Sequence, residues 1–287
     1  MNNGRGWLVA GLMVAAVPLG VLGWMGRQSE RGLDDGLLSQ LFSHGSARSM
    51  GLAQGSGDAA PKPPPQPAWR TPLKRQCGPN NAQLRQRLLA RQRTLRNHPT
   101  TLAIDPTNHG ERFGRDVFGQ PLNPTPQLIV LHETVYGIGS AINTFVTPHP
   151  RDEDQVSYHA LIGLDGAVVR VLDPLKRAFG AGNSAFNGQW VITNKAFRGS
   201  VNNFALHVSL ETPLDGENDA LAHSGYTASQ YDALAVLLAE WMERFGIPYR
   251  HITTHAYVDL GGERADPRSF EWSALQQRLA ALGQLCP

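Results

Sequence analysis

The chain lacks charge asymmetry and is short of cysteine. Across 287 residues, 26 Lys and Arg stand against 24 Asp and Glu, a formal net charge of +2, and no long basic run occurs. So small an excess excludes a protein that holds nucleic acid through a phosphate-neutralising surface. The arginines that do cluster, Arg85, Arg87, Arg91, Arg93 and Arg96, are interleaved with leucines at helical spacing and read as a solvated helix face. Two cysteines permit one disulfide at most. Long hydrophobic runs are also scarce, with a single exception at the N-terminal end. A content of 41% hydrophobic and 17% charged residues suits a globular fold.

The exception is Trp7 to Met25, which carries no charged residue and is flanked by Arg5 and Arg27. At about 1.5 Å per residue it just spans a bilayer core of roughly 30 Å. It is long for the apolar core of a cleaved signal, and no clean A-x-A site follows it. Residues 1–25 therefore read as an N-terminal membrane anchor or signal segment, the uncleaved anchor being favoured, with membrane contact through 7–25. The rest of the chain would then lie in the periplasm, or otherwise outside the cytoplasmic membrane. Residues 26–76 read as a linker. After a possible short amphipathic helix at 33–42 they turn small and polar, and then reach P-K-P-P-P-Q-P at 61–67, which is extended and semi-rigid. Cys77 and Cys286 bracket what remains. In an oxidising compartment a disulfide closing a domain over 77–287 is expected.

Within that domain, leucines at 84, 88, 89 and 95 predict a helix over Gln83–Arg96, ended by Pro99, and residues 100–125 read as irregular chain. Leu128 to Leu131, in P-Q-L-I-V-L-H-E, predict a buried strand with His132 at its end, facing a cleft at the sheet edge. A helix is expected over Ile138–Thr147. Val156–Ile162 and Val168–Leu172, joined by Asp165-Gly166, predict a hairpin. Asn203–Glu211 alternates, with Leu206, Val208 and Leu210 on one face and His207, Ser209 and Glu211 on the other. Such a polar face ordinarily meets solvent; the alternative is that it lines a cleft. Thr227–Phe245 is an amphipathic helix ended by Gly246 and Pro248, and Ile252–Thr254 is a short strand with His255 at its end. Asp266 follows eleven residues later, just before Pro267.

Two histidines at strand ends and a carboxylate in a loop make the donor set of a catalytic zinc site, in which three protein ligands leave a fourth position for water. Water on such an ion has its pKa lowered to about 7. His251 and His255 stand at i, i+4, but no Glu follows His251 and Ile-Thr-Thr between them disfavours a helix. A metalloprotease built on H-E-x-x-H does not fit.

Six segments in a fixed order carry a resemblance: I-V-L-H-E-T (129–134), V-S-Y-H-A-L-I-G-L-D-G (156–166), A-F-G-A-G-N-S (178–184), N-F-A-L-H-V-S-L-E (203–211), T-H-A-Y-V-D (254–259) and R-A-D-P-R-S-F-E-W (264–272). Together they resemble the zinc-dependent N-acetylmuramoyl-L-alanine amidases, which share their fold with peptidoglycan recognition proteins. The resemblance implies an α/β fold with a mixed central sheet flanked by helices and a zinc cleft at its edge. It implies cleavage of the amide between N-acetylmuramic acid and the L-alanine of the stem peptide, so the expected partner is peptidoglycan or a muropeptide. It also implies His132, His255 and Asp266 as zinc ligands, and Tyr158 and Arg264 as catalytic assistants, Arg264 standing where the family usually has lysine. The glutamate base of one branch falls at Ser209 here; Glu211, two residues on, is a competing candidate for that role. The usual W-H-A-G reads F-G-A-G, with Gly180 in place of a substrate-side histidine, and the interval from His255 to Asp266 is one residue longer than usual. The alternative function is a non-catalytic peptidoglycan-binding module of the same fold, but such modules typically lack a zinc ligand. A scaffold role in the envelope is the third reading.

Overall fold

The structure is a computed structural model and describes residues 60–78 and 81–286. The expected anchor at 7–25, and the part of the expected linker before residue 60, lie outside the described residues. Among the described residues no helix is long and apolar enough to cross a membrane.

Six strands form one mixed sheet: β1 (Thr100–Thr101), β3 (Leu128–Glu133), β4 (Ala160–Ile162), β5 (Val168–Arg170), β7 (Ala205–Leu210) and β8 (Ile252–Thr254). Their order is β1-β5-β4-β7-β3-β8, and only the β4–β5 pair is antiparallel. That pair is the expected hairpin with shorter strands, the first beginning at Ala160 and not Val156, so that Tyr158 precedes it, and Gly166 takes a φ of 83° in its turn. A small antiparallel sheet pairs β2 (His109–Glu111) with β6 (Lys176–Ala178), so the region expected to be irregular contributes two short strands, β1 and β2. Among the described residues five α-helices accompany the sheets: α1 (Ala82–Asn97), α2 (Ile138–Val146), α3 (Ala228–Phe245), α4 (His255–Val258) and α5 (Trp272–Ala281).

The alternation along the central strands divides the core into two layers. Ile129 and Leu131 of β3 and Leu206, Val208 and Leu210 of β7 pack with Leu234, Leu237, Leu238 and Trp241 of α3. Leu128, Val130 and Ala205 face the other way, against Phe186, Val191, Val201 and Phe204. Both faces are therefore covered, as parallel strands require. This overturns the solvent-facing reading of His207 and Ser209, which are fully buried because the looping chain between residues 181 and 204 lies over their face.

Helix α3 begins with a capping box formed by Thr227 and Gln230 and ends at Gly246 in the left-handed region, φ 67°. Asp232 on α3 binds Arg87 of α1 and Arg278 of α5, tying the three helices together. Arg91 reaches Gly166 O in the hairpin turn, so the arginine face of α1 is partly docked as well as solvated.

The proline-rich chain from residue 60 lies along the domain. Trp190 Nε1 donates to Pro61 O, the Tyr257 hydroxyl donates to Pro67 O, and the Trp69 ring packs on Tyr257 with centroids 4.6 Å apart. Leu73 enters the main core. Cys77 and Cys286 form the expected disulfide across 209 residues, beside the Gln76 N–H bond to Leu285 O. Replacing both cysteines with serine should lower stability by about 2–4 kcal/mol, the usual scale for a bond that closes a long loop. Urea denaturation of the oxidised protein and the double variant measures this; equal midpoints would show that the strap and α5 hold without the bond.

Candidate metal centre

His132 stands at the C-terminal end of β3, on the face it shares with Leu128 and Val130. β8 runs parallel to β3 with Leu131 opposite Thr254, so His255 emerges next to His132. β3 is an interior strand and β8 the sheet edge, so the site sits at the ends of both strands. Thr254 Oγ1 accepts from Tyr257 N, which turns the chain into α4 directly after the strand and points His255 inward. Asp266 arrives from the loop before α5. Its Oδ1 lies 3.0 Å from His255 Nδ1, and its Oδ2 lies 3.3 Å from His132 Nδ1.

The ligating atoms of His132, His255 and Asp266 all lie within 4.8 Å of one another. His132 Nδ1 is fully buried and, though close to Asp266, makes no hydrogen bond of proper geometry among the described residues. Burial pushes the His132 pKa down to about 4 against the pull of the Asp266 carboxylate, so the ring is neutral near pH 7 with a lone pair to offer. Burial acts to raise the Asp266 pKa, but the two imidazoles outweigh it and hold the group well below the ordinary carboxylate range. Two imidazole nitrogens and one carboxylate oxygen, converging at two buried histidines, fit a zinc ion.

The structure brings two of the other predicted residues to this centre. The Tyr158 ring stacks on His132, centroids 4.4 Å apart, and is backed edge-on by Phe145 at 5.4 Å. Burial and the Asp266 charge raise the Tyr158 pKa well above its ordinary value, so it remains a neutral O–H donor. The positive charge of Arg264 bears on both His132 and Tyr158, acting to lower their pKa values. Glu211 is engaged elsewhere: Oε1 accepts from Ile138 N at the start of α2, and Oε2 accepts from Leu164 N in the hairpin, each at 2.8 Å. Its carboxylate caps a helix and pins a turn.

Two groups beside the centre were hidden from sequence reasoning. His207 Nδ1 lies 3.0 Å from His132 Nε2. Glu133, next to His132, is buried against Arg268, two residues after Asp266. Both were visible as residue types; neither carried a local signal of its partner.

A family model described as N-acetylmuramoyl-L-alanine amidase matches residues 122–269, more than half of the chain. The chain belongs to the N-acetylmuramoyl-L-alanine amidase family. The matched segment of this family member holds His132, His255 and Asp266 together with Tyr158, Arg264 and Glu211. No curated protein matches the sequence. Among solved structures, Citrobacter freundii AmpD is similar at 21% identity and a TM-score of 0.41, over 63% of this chain and 90% of that one. AmiD from E. coli, solved with the substrate anhydro-N-acetylmuramic acid-L-Ala-D-gamma-Glu-L-Lys, is similar at 19% identity and a TM-score of 0.44, over 60% of this chain and 65% of that one. The amidase LysCS from Clostridium intestinale is similar at 18% identity and a TM-score of 0.39, over 63% and 95% of the two chains.

Proposed function

We propose that the protein is a peptidoglycan hydrolase that cleaves the amide between N-acetylmuramic acid and the L-alanine of the stem peptide at a zinc site made by His132, His255 and Asp266. The observation that carries this reading is the convergence of three ligand atoms within 4.8 Å, two of them on buried histidines, in a chain of the amidase family. A zinc ion there would act as a Lewis acid and make hydroxide available near neutral pH. The protein's own groups do the rest. Tyr158, kept protonated and stacked on His132, donates a hydrogen bond toward the oxygen on which negative charge develops, and Arg264 adds a positive charge. Glu211, with both oxygens on backbone amides, supports α2 and the hairpin and does not serve as base. In this reading residues 7–25 tether the domain in the cell envelope, supported by their charge-free length.

Incubating the full-length protein with muropeptides should release peptides with a free L-alanine amino terminus, and chelation should stop the release. Tyr158→Phe should lower kcat by about 10²-fold, the scale of one positioned donor, with zinc content and fold intact. Glu211→Gln should cost far less. Binding of muropeptide without cleavage by zinc-loaded protein would place the chain with the binding modules, and loss of turnover in Glu211→Gln alone would transfer the assisting role to Glu211.

A further inference from the structure

Every ligating histidine has a second nitrogen, and the partner of that nitrogen sets which tautomer the ring adopts and how it is aimed. For His132 that partner is His207. His132 Nδ1 faces Asp266 and its Nε2 faces His207 Nδ1 at 3.0 Å, with both rings fully buried. The register explains the approach: Val130 of β3 stands opposite His207 of β7, so the two histidines project from the same face one step apart along the strands.

His207 is held by its main chain and by ring stacking, while its ring Nε2 is buried with no hydrogen-bond partner among the described residues. Its backbone N–H donates to His159 Nδ1 at 2.9 Å, and the His159 ring stacks parallel to its own, with an interplanar angle of 4°. His159 Nε2 lies 3.2 Å from Lys176 O, so its proton is on Nε2 and its Nδ1 is the acceptor. The His207 ring occupies space that only a glycine at position 180 leaves open. A Cβ placed on Gly180 would lie 2.5 Å from both Cγ and Nδ1 of His207. That is far inside contact distance, and these atoms are at the root of the ring, where a small torsional change cannot clear them.

We infer that His207, admitted by Gly180, is the positioning residue that accepts the Nε2 proton of His132 and so presents the His132 Nδ1 lone pair to the metal. The assignment rests on the zinc reading above. It links two features that share no sequence signal: a glycine where a side chain would be expected, and a histidine in the middle of a buried strand. The ring of the second fills the space beside the first.

The test compares zinc affinity, by competition with a chromophoric chelator, and the visible spectrum of the cobalt-substituted protein, which reports ligand geometry. Full-length wild type, His207→Leu, Gly180→Ala and His207→Asn are measured, with thermal melts to confirm folding. His207→Leu removes the acceptor, and Gly180→Ala retains every polar group but displaces the ring. Both should weaken zinc binding about 10- to 100-fold and alter the cobalt spectrum. His207→Asn keeps an acceptor oxygen near the position of Nδ1 and should recover most of the affinity. If wild type binds zinc and both His207→Leu and Gly180→Ala bind it equally well with unchanged cobalt spectra, the inference is wrong while the zinc site stands. A wild type that binds no zinc overturns the zinc reading and the inference with it. Should a variant fail to fold, the other of the pair decides, and unchanged His132 nitrogen shifts in NMR spectra of Gly180→Ala would refute the inference independently of metal.

Discussion

Asp266→Ala is expected to lose stoichiometric zinc and at least about 10³-fold of the amidase activity, a loss of several kcal/mol of transition-state stabilisation. Asp266 is the only anion among the three proposed ligands, and its two oxygens lie 3.0 and 3.3 Å from the two imidazole nitrogens. Without it, two imidazole rings would remain, with no carboxylate among them to offset a divalent charge. The fold itself should survive, because the Asp266 side chain is partly exposed and its polar contacts among the described residues are to His132 and His255. Elemental analysis after gel filtration and a muropeptide assay give the two readouts. One zinc per chain in the Asp266→Ala protein would remove Asp266 from the ligand set. Full activity in metal-free wild type would remove the metal from the chemistry.

The parts of this centre that were legible in sequence are those with a local signature. His132 follows an unbroken apolar run, and His255 follows a β-branched triplet, so both were placed at strand ends without knowledge of the sheet. What local pattern does not contain is pairing. The parallel register that sets His255 beside His132 joins strands more than a hundred residues apart, and no periodicity within either strand encodes it.

Alternation along β7 separated His207 and Ser209 from the leucines, but it says only that the faces differ. It does not say that the polar face is covered. The covering layer, with Phe186, Val191, Val201 and Phe204, comes from chain with little regular structure and hence no period to read. Glu211 shows the same limit from the other side. Its place at the end of a strand is legible, but that its two oxygens accept from Ile138 N and Leu164 N depends on a helix and a turn that the strand's pattern does not contain.

Arg268→Ala is expected to destabilise the protein by about 3–5 kcal/mol, because it strands a buried carboxylate. Glu133 and Arg268 are both nearly inaccessible to solvent, with side chains 2% and 7% exposed. Arg268 Nε donates to Glu133 Oε1, and Glu133 Oε2 takes the Arg268 N–H at 3.0 Å and the Tyr226 hydroxyl at 2.7 Å. The remaining guanidinium nitrogens reach the carbonyls of Gly216, Asn218 and Ala220, so the same side chain folds the 216–220 loop down.

Three consequences of removal therefore add in one direction: a charge without its counter-ion, the carbonyls of Asn218 and Ala220 without their guanidinium donor, and a loop without its anchor. The pair also spans the metal centre, since Glu133 follows His132 and Arg268 comes two residues after Asp266, across 135 residues of chain. Loosening it should widen the spread of ligand positions, so zinc affinity should fall together with stability. Equilibrium urea unfolding measures the first effect. Adding Glu133→Gln to Arg268→Ala should restore at least about 1 kcal/mol, because a neutral amide is less costly to bury than an unpaired carboxylate. A single variant within about 1 kcal/mol of wild type, with no gain from the second substitution, would mean that Tyr226, His223 and the loop hold Glu133 without the arginine.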